Sequence, residues 1–379
     1  MRSPAPARGR ARAPGDDAEV RPLLESVAAA REVGLRWVSD AAPGIRRRRA
    51  GRGFVFVTPD GRRVADADTL ARIRALAIPP AWTEVWVCLV AHGHVQATGR
   101  DAAGRKQYRY HARWRAVRSR TKYRELIAFA RGLPALRRRV DRDLTRPALD
   151  RPRVLAAAVS LLDRGLLRVG NDEYTRRNRS YGLTTLRAHH AQVQGSTIRL
   201  RFRGKSGVQR DVAVDDPRLA RVVRRCKDLP GGELFQWVDG DGVARDVGSG
   251  DVNDYLREVT GQEVTAKDFR TWGGTLICAV TLARLGRPRT KRELKRNVCR
   301  AVEVAARHLG NRPATCRGFY VHPAVLEAYE DGRLAQYLRR TPLRERPTPT
   351  RGLSREEQQV LALLEAHEAR ATRALAARA

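Results

Sequence analysis

The amino-acid sequence predicts an α+β protein, with a small β-rich N-terminal domain and a larger, mostly α-helical domain that contains a β-hairpin or three-stranded sheet. Three observations support this fold class. Apolar and polar residues alternate between turn residues from about residue 35 to 116, and apolar residues recur at helical spacing after about residue 120. One run of strict alternation, TIRLRF at 197–202, then interrupts the helices.

The chain of 379 residues is long enough to bury at least one full core and to form two domains. We expect a basic disordered arm at 1–30, a β-rich domain at 31–117, a larger domain at 118–345, and a linker with an accessory helix at 346–379. The arm is rich in proline, arginine and alanine and lacks the apolar core of a signal peptide. A hinge is expected near 116–122.

The N-terminal domain is predicted to consist mainly of hairpins. RGFVFVTPDGRRV indicates a strand, a turn at 59–61 and a second strand, and TEVWVCLVAHGHVQATGRD indicates a hairpin that turns at His92-Gly93. Between them, TLARIRALAIPPAW predicts a helix ended by Pro79-Pro80. Residues 21–32 predict a short helix. The basic run IRRRRAGRG at 45–53 fits a solvated loop as well as a specific contact.

The larger domain shows helical periodicity on both sides of a basic hairpin. RELIAFARGLPALRRRVDRDL and RPRVLAAAVSLLDRGLLR predict helices, and in TIRLRFRGKSGVQRDVAV one face of the hairpin is apolar and the other carries arginines. Lys205 lies at the hairpin turn, and Arg201 and Arg203 lie on the arginine face of the hairpin. Capping-box spacing at Thr265 and at Ser354 marks the start of two further helices, and a helix at 291–309 should end at Gly310.

Charge and cysteine usage limit the possible functions. A formal net charge of +34 and a pI near 11.4 indicate a polyanionic partner, and no apolar run approaches a membrane span. Five scattered cysteines without a CxxC pair argue against zinc and against a disulfide framework, which favours a reducing, cytoplasmic setting. His189-His190 lacks further metal ligands at suitable spacing, and 238–246 fits a glycine-rich turn better than a metal loop.

Four segments together supply the groups that phosphodiester transesterification requires. They are LLRVGNDEY around Arg168, RLRFRGKSGVQ around Lys205, VTAKDFRTWGG around Arg270, and LGNRPATCRGFYVHP, which contains Tyr320. Two guanidiniums can hold the phosphate oxygens as charge develops on them. A lysine can donate a proton to a leaving 5′-oxygen, and a tyrosine can attack phosphorus and form a covalent ester. Lysine is scarce in this arginine-rich chain, which makes Lys205 conspicuous.

The order and context of these segments resemble the type IB DNA topoisomerases, in particular the small poxvirus and bacterial enzymes, from about Leu35 to Tyr337. The resemblance implies a monomer that forms a C-shaped clamp around double-stranded DNA in the bacterial nucleoid, with no metal and no other cofactor. It implies relaxation of supercoiled DNA without ATP, through a 3′-phosphotyrosyl intermediate on Tyr320 and with Lys205 as general acid. It also assigns DNA contacts to Gln107, Tyr108 and Tyr110. On the arginine face of the hairpin, Arg201 and Arg203 are predicted to contact DNA as well.

The chain departs from the family pattern at one position. Family members often carry a histidine nine residues before the nucleophile, where this chain has Asn311. Asparagine can donate a hydrogen bond to phosphate but cannot become cationic. Two other functions stay open at this point: a tyrosine site-specific recombinase, which uses the same groups, and a non-catalytic basic DNA-binding or architectural protein, for which charge alone would suffice.

Overall fold

The computed structural model describes residues 26–338 and 351–377, and these divide into two compact units. The first unit ends at Lys122 and the second begins at Tyr123. The protein is a mixture of helix and sheet, with a small β-containing N-terminal unit and a larger helical unit, as the sequence predicted.

The N-terminal unit is built on a five-stranded antiparallel sheet of order β2-β1-β3-β4-β5. Its elements are helix α1 (26–32), β1 (Ile45–Ala50), β2 (Gly53–Val57), α2 (Ala67–Ala75), β3 (Thr83–Val87), β4 (Val95–Arg100), β5 (Lys106–Tyr110) and the first part of α3 (Ala112–Leu144). One side of the sheet buries Val85, Val87 and Ala97 against Ile73 of α2. Helix α2 therefore covers this side of the sheet, while Trp86 of β3 lies in a separate buried cluster with Cys88 and Val95.

The second unit surrounds two buried helices and a small sheet. Its elements are α4 (Arg151–Gly165), α5 (Asp172–Asn178), β6 (Ala191–Gln194), β7 (Thr197–Arg203), β8 (Gln209–Asp215), α6 (Pro217–Lys227), β9 (Gln236–Val238), β10 (Ala244–Asp246), α7 (Ser249–Thr260), α8 (Ala266–Leu285), α9 (Lys291–Leu309), α10 (Pro313–Phe319), α11 (Pro323–Glu330), α12 (Leu334–Tyr337) and α13 (Arg355–Ala376). Short 3₁₀ turns lie at Leu183–Thr185, Ala188–His190 and Lys205–Gly207. Strands β6, β7 and β8 form one antiparallel sheet, and β9 pairs with β10.

Helices α4 and α8 form the centre of this unit because they are apolar on nearly all sides. Helix α8 begins at a capping box in which the backbone N–H of Thr265 donates to Asp268 over 2.8 Å. Helix α9 ends at Gly310, whose φ of 60° is the left-handed conformation that glycine adopts readily. Both boundaries were predicted from the sequence.

The C-terminal helix α13 packs on the core of the second unit through Val360, Leu363 and Leu364, all fully buried. Its first turn forms the expected capping box, in which the Ser354 N–H donates to Glu357 over 2.8 Å and the Glu357 N–H donates to the Ser354 hydroxyl. The accessory helix is therefore part of the helical unit.

Several local predictions need correction. The first hairpin joins β1 to β2 at 45–57, so the basic run is a strand, and beyond β2 only an isolated bridge links Val57 to Arg63. Residues 26–30, assigned to the disordered arm, are helical, while the rest of that arm and most of the 346–352 linker lie outside the described residues. The expected hinge at 116–122 adjoins the boundary between the two units after Lys122, but the chain there is the continuous helix α3. The connection before Tyr320 contains a helix, α10, which Pro313 begins.

None of the helices in the described ranges combines the length and the apolar character that spanning a bilayer requires.

Candidate active site

Arg270 occupies the centre of a cluster of predicted site residues in the second unit. It lies in the second turn of α8 and is only 2% exposed. Its guanidinium donates to the backbone oxygen of Leu166 and, over 2.9 Å, to that of Leu309. Burial, together with the nearby charge of Arg168, lowers the pKa of Arg270 to about 10. The guanidinium is thus fixed by two separate segments of the chain.

Asn311 connects the two predicted guanidiniums. Its Oδ1 accepts a hydrogen bond from Arg168 and a longer one, of 3.4 Å, from Arg270. Asn311 follows Gly310, and its backbone N–H donates to Ala306 of α9 over 2.9 Å. A neutral oxygen therefore holds two cations together at the end of α9, an arrangement suited to an anion shared by both guanidiniums.

Arg168 lies in the extended segment that follows α4. The helix ends at Gly165, and Leu166 adopts a left-handed φ of 48° that redirects the chain. The Leu183 N–H donates to the Arg168 carbonyl over 2.8 Å. The sequence placed Arg168 at the end of the helix, whereas the structure places it three residues beyond, in a segment held by Arg270 and by the 3₁₀ turn at Leu183–Thr185.

Tyr320 ends helix α10 and is half-buried. The guanidinium carbon of Arg270 lies 5.1 Å from the centre of its ring, within cation–π range. The backbone of Tyr320 rests on α8, where Thr275 donates its hydroxyl proton to the Tyr320 carbonyl over 3.4 Å. Gly274 makes this approach possible, because a Cβ at that position would lie 2.6 Å from the same carbonyl oxygen.

Lys205 lies exposed in the 3₁₀ turn between β7 and β8, next to Ser206 with its left-handed φ of 62°. The Arg270 cluster consists of the other four predicted catalytic residues, which are Arg168, Arg270, Asn311 and Tyr320. The hairpin is nevertheless tied to the cluster by Arg210 of β8, which donates to the carbonyls of Arg307 and His308 over 3.4 and 2.9 Å. The charge of Arg210 also contributes to lowering the pKa of Arg270.

The predicted DNA contacts of the hairpin differ in their surroundings. Arg201 is exposed and shares Asp211 with Arg199, at 3.1 and 2.7 Å respectively. These two arginines lower the pKa of Asp211 to about 2. The guanidinium of Arg203 instead lies beside Gly207 in the turn.

The predicted contacts in the N-terminal unit lie on β5, an edge strand. Tyr108 and Tyr110 are 43% and 39% exposed, and their rings lie nearly parallel with centres 5.7 Å apart. Gln107, on the other face, is half-buried and donates to Asp101 over 3.0 Å. Two exposed aromatic rings beside cations form a surface that can stack on bases or sugars.

No group of histidine, cysteine or carboxylate residues in the described ranges is arranged to hold a metal ion. His190 lies in a 3₁₀ turn, where its Nδ1 accepts from the Arg187 N–H, and burial lowers its pKa to about 4. The 238–246 segment runs from the end of β9 through a turn at 239–243 to β10, and in this turn Asp239 accepts from two backbone N–H groups. The hydrogen bonds of His190 and Asp239 therefore stabilise local turns.

Comparisons with known proteins identify the family of this chain. Residues 111–340 match the family described as eukaryotic DNA topoisomerase I, catalytic core, and residues 53–101 match the bacterial DNA topoisomerase IB N-terminal domain. The chain therefore belongs to the type IB DNA topoisomerases. Its sequence is 32% identical over 295 residues to the DNA topoisomerase 1B of Acanthamoeba polyphaga mimivirus, which covers 76% of this chain and 88% of that protein.

The sequence reasoning did not identify the residues that support the cluster. Gly273 and Gly274 carried a signal, since two adjacent glycines are costly inside a helix unless close packing requires them. A Cβ at Gly273 would lie 2.5 Å from Leu166, just as one at Gly274 would meet Tyr320. Arg210 carried no comparable signal in a chain with so many arginines.

Proposed function

We propose that this chain relaxes supercoiled DNA by cutting and resealing one strand, without ATP or a metal ion, through a 3′-phosphotyrosyl intermediate on Tyr320. Membership of the type IB topoisomerases supports DNA relaxation in general. One observation carries the specific mechanism: a buried Arg270 guanidinium 5.1 Å from the Tyr320 ring, joined to Arg168 through Asn311.

In the cleavage step, the Tyr320 oxygen attacks a backbone phosphorus, its proton passes to solvent, and the bond to the 5′-oxygen breaks. Arg168 and Arg270 are proposed to stabilise the negative charge on the non-bridging oxygens. Removal of one such donor is expected to slow cleavage by about 10²- to 10³-fold. Because Arg270 is already fixed by two backbone oxygens, little reorganisation is needed when the phosphate binds.

Asn311 is proposed to take the place of the family's histidine as a neutral hydrogen-bond donor. Its Nδ2 is buried and has no hydrogen-bond partner among the described residues. A phosphate oxygen is an acceptor that would satisfy it.

Lys205 is proposed to donate the proton that the leaving 5′-oxygen acquires. Its exposed position at the hairpin turn suits insertion beside DNA, and Arg210 fixes the base of that hairpin to α9. Rotation of the cut end about the intact strand then releases superhelical strain. Attack by the 5′-hydroxyl on the phosphotyrosine reseals the strand, so the ester conserves the bond energy and no nucleotide is required.

We further propose that the enzyme acts as a monomer on chromosomal DNA in the cytoplasm, with Gln107, Tyr108, Tyr110, Arg201 and Arg203 contacting the duplex. The C-shaped clamp and the functional boundaries of the domains stay predictions.

Relaxation of a negatively supercoiled plasmid, with EDTA present and ATP absent, tests the mechanism. Wild-type protein should relax the plasmid and leave an adduct that SDS traps on DNA, whereas Tyr320→Phe should do neither. Relaxation by both proteins would show that another residue is the nucleophile. Tight binding by both without relaxation would favour an architectural protein, and site-specific strand exchange would favour a recombinase.

A further inference from the structure

Helix α13 contacts the back of the helix that carries Arg270. Glu357, in its first turn, is 4% exposed and accepts the indole N–H of Trp272 over 3.1 Å. Trp272 follows Arg270 by two residues on α8, so the two side chains leave the helix in directions about 200° apart. Glu357 therefore holds α8 from the side opposite to Tyr320.

A buried ion network fixes Glu357 in turn. Arg137 of α3 donates to both Glu357 oxygens, over 2.8 and 2.9 Å, and to Asp163 of α4 over 2.8 Å. Burial would favour the neutral carboxyl, yet the hydrogen bonds and charge of Arg137 hold the pKa of Glu357 below its ordinary value. The carboxylate thus connects α3, α4 and α8 at one point.

A second contact joins α13 to the chain that follows the tyrosine. The ring of His367 lies edge-on to that of His322, with centres 5.9 Å apart. The His322 backbone N–H donates to the Thr275 hydroxyl over 3.1 Å, and that hydroxyl donates to the Tyr320 carbonyl. Helix α13 therefore touches α8 and the segment two residues after Tyr320.

We infer that Glu357 is a positioning residue for DNA cleavage, which holds α8 through Trp272 so that Arg270 and Tyr320 keep their mutual geometry. This inference rests on the roles proposed above for Arg270 and Tyr320. Glu357 lies beyond residue 340, where the match to the catalytic-core family ends. The first turn of the C-terminal helix therefore positions the catalytic residues from outside that matched region.

The test uses the full-length chain with Glu357→Gln and Trp272→Phe, since the second change removes the indole N–H, together with one ring, and keeps a buried aromatic side chain. Glu365→Gln is the matched control. Glu365 also joins α13 to α3, through an exposed pair with Arg131 at 2.7 Å, so its ion pair is to α3 rather than to α8. Plasmid relaxation with enzyme in excess, SDS-trapped adduct, and filter binding of plasmid in a Tyr320→Phe background give rate and affinity separately.

We expect Glu357→Gln and Trp272→Phe to slow relaxation and adduct formation by about tenfold or more, with DNA affinity changed less than about twofold. Glu365→Gln should match wild type in both measurements. A wild-type rate in Trp272→Phe, or a loss of rate that only follows a loss of DNA affinity, would overturn the inference even if Glu357→Gln failed to fold. Absence of any adduct with wild-type protein would instead refute the proposed function.

Discussion

Gly274→Ala should separate activity from stability in this enzyme. The added Cβ would lie 2.6 Å from the Tyr320 carbonyl oxygen and 3.0 Å from Leu309, whereas ordinary contact begins near 3.4 Å. The Tyr320 backbone must therefore retreat by about 0.8 Å. A misplacement of about 1 Å can cost on the order of 10²-fold in rate, so we expect adduct formation to slow by about 10- to 100-fold.

The stability change should be much smaller. Overpacking costs about 1–3 kcal/mol, while replacing glycine by alanine within a helix recovers about 1 kcal/mol. The net destabilisation is then about 0–2 kcal/mol, which shifts the melting temperature by only a few degrees. A folded variant with a large loss of rate is the expected result.

Gly318→Ala provides the matched control. Gly318 lies in α10, two residues before Tyr320, and a Cβ there would meet nothing within 4 Å. This variant should keep the wild-type cleavage rate and gain up to about 1 kcal/mol of stability. Adduct formation at equal enzyme excess and thermal unfolding by circular dichroism measure both quantities. Equal cleavage rates for the two alanine variants would refute the proposed seating of Tyr320 on α8.

Three further predictions concern the residues around this seat. Arg210→Met should slow adduct formation by about tenfold or more, because the Lys205 hairpin loses its attachment to α9; Arg199→Met, on the same hairpin, is the control, and equal rates would contradict the prediction. Asn311→His should make the rate of relaxation rise as pH falls through the pKa of the new histidine, because the imidazolium can then donate to the phosphate. That pKa should lie below about 6.5, because the two guanidiniums disfavour a third positive charge; a pH profile parallel to that of wild type would count against this prediction. Glu357 should stabilise the fold fully above about pH 4.3, its unfolded value, and lose that contribution as pH falls through its lower folded pKa. Urea unfolding should therefore show Glu357→Gln less stable than wild type at neutral pH, with a smaller difference in acid, and a pH-independent difference would disprove this linkage.

Local signals in the sequence predicted the elements that local chemistry determines. The alternation in β7, the capping boxes before α8 and α13, and the glycine that ends α9 all appear in the structure where the sequence indicated them. Strand β1 was harder to recognise, because arginines at 46–49 hide the alternation, although Arg47 donates to the carbonyls of Pro79 and Trp82. A polar strand beside a sheet edge has no periodic signature.

The candidate site was predicted as a set of residues, but its internal contacts were not. Motif order named Arg168, Arg270, Asn311 and Tyr320, and the structure brings these four together. Motif order could not indicate that Asn311 bridges two guanidiniums, because the contact between Arg168 and Asn311 joins positions 143 residues apart. Interactions of this kind depend on how helices pack, and packing is not encoded in the spacing along one segment.

The ion network behind α8 also has a consequence for how the protein is made. Arg137 is synthesised 26 residues before Asp163 but 220 residues before Glu357. At about 5–20 residues per second, a ribosome needs roughly 10–45 s to supply the second carboxylate. A chain that stops between Tyr320 and Glu357 contains the whole Arg270 cluster but lacks the Glu357 carboxylate that binds Trp272 on the opposite side of α8. Incomplete chains are therefore expected to nick the chromosome more slowly than finished chains, and the full rate of DNA cutting should be reached only after translation has passed Glu357.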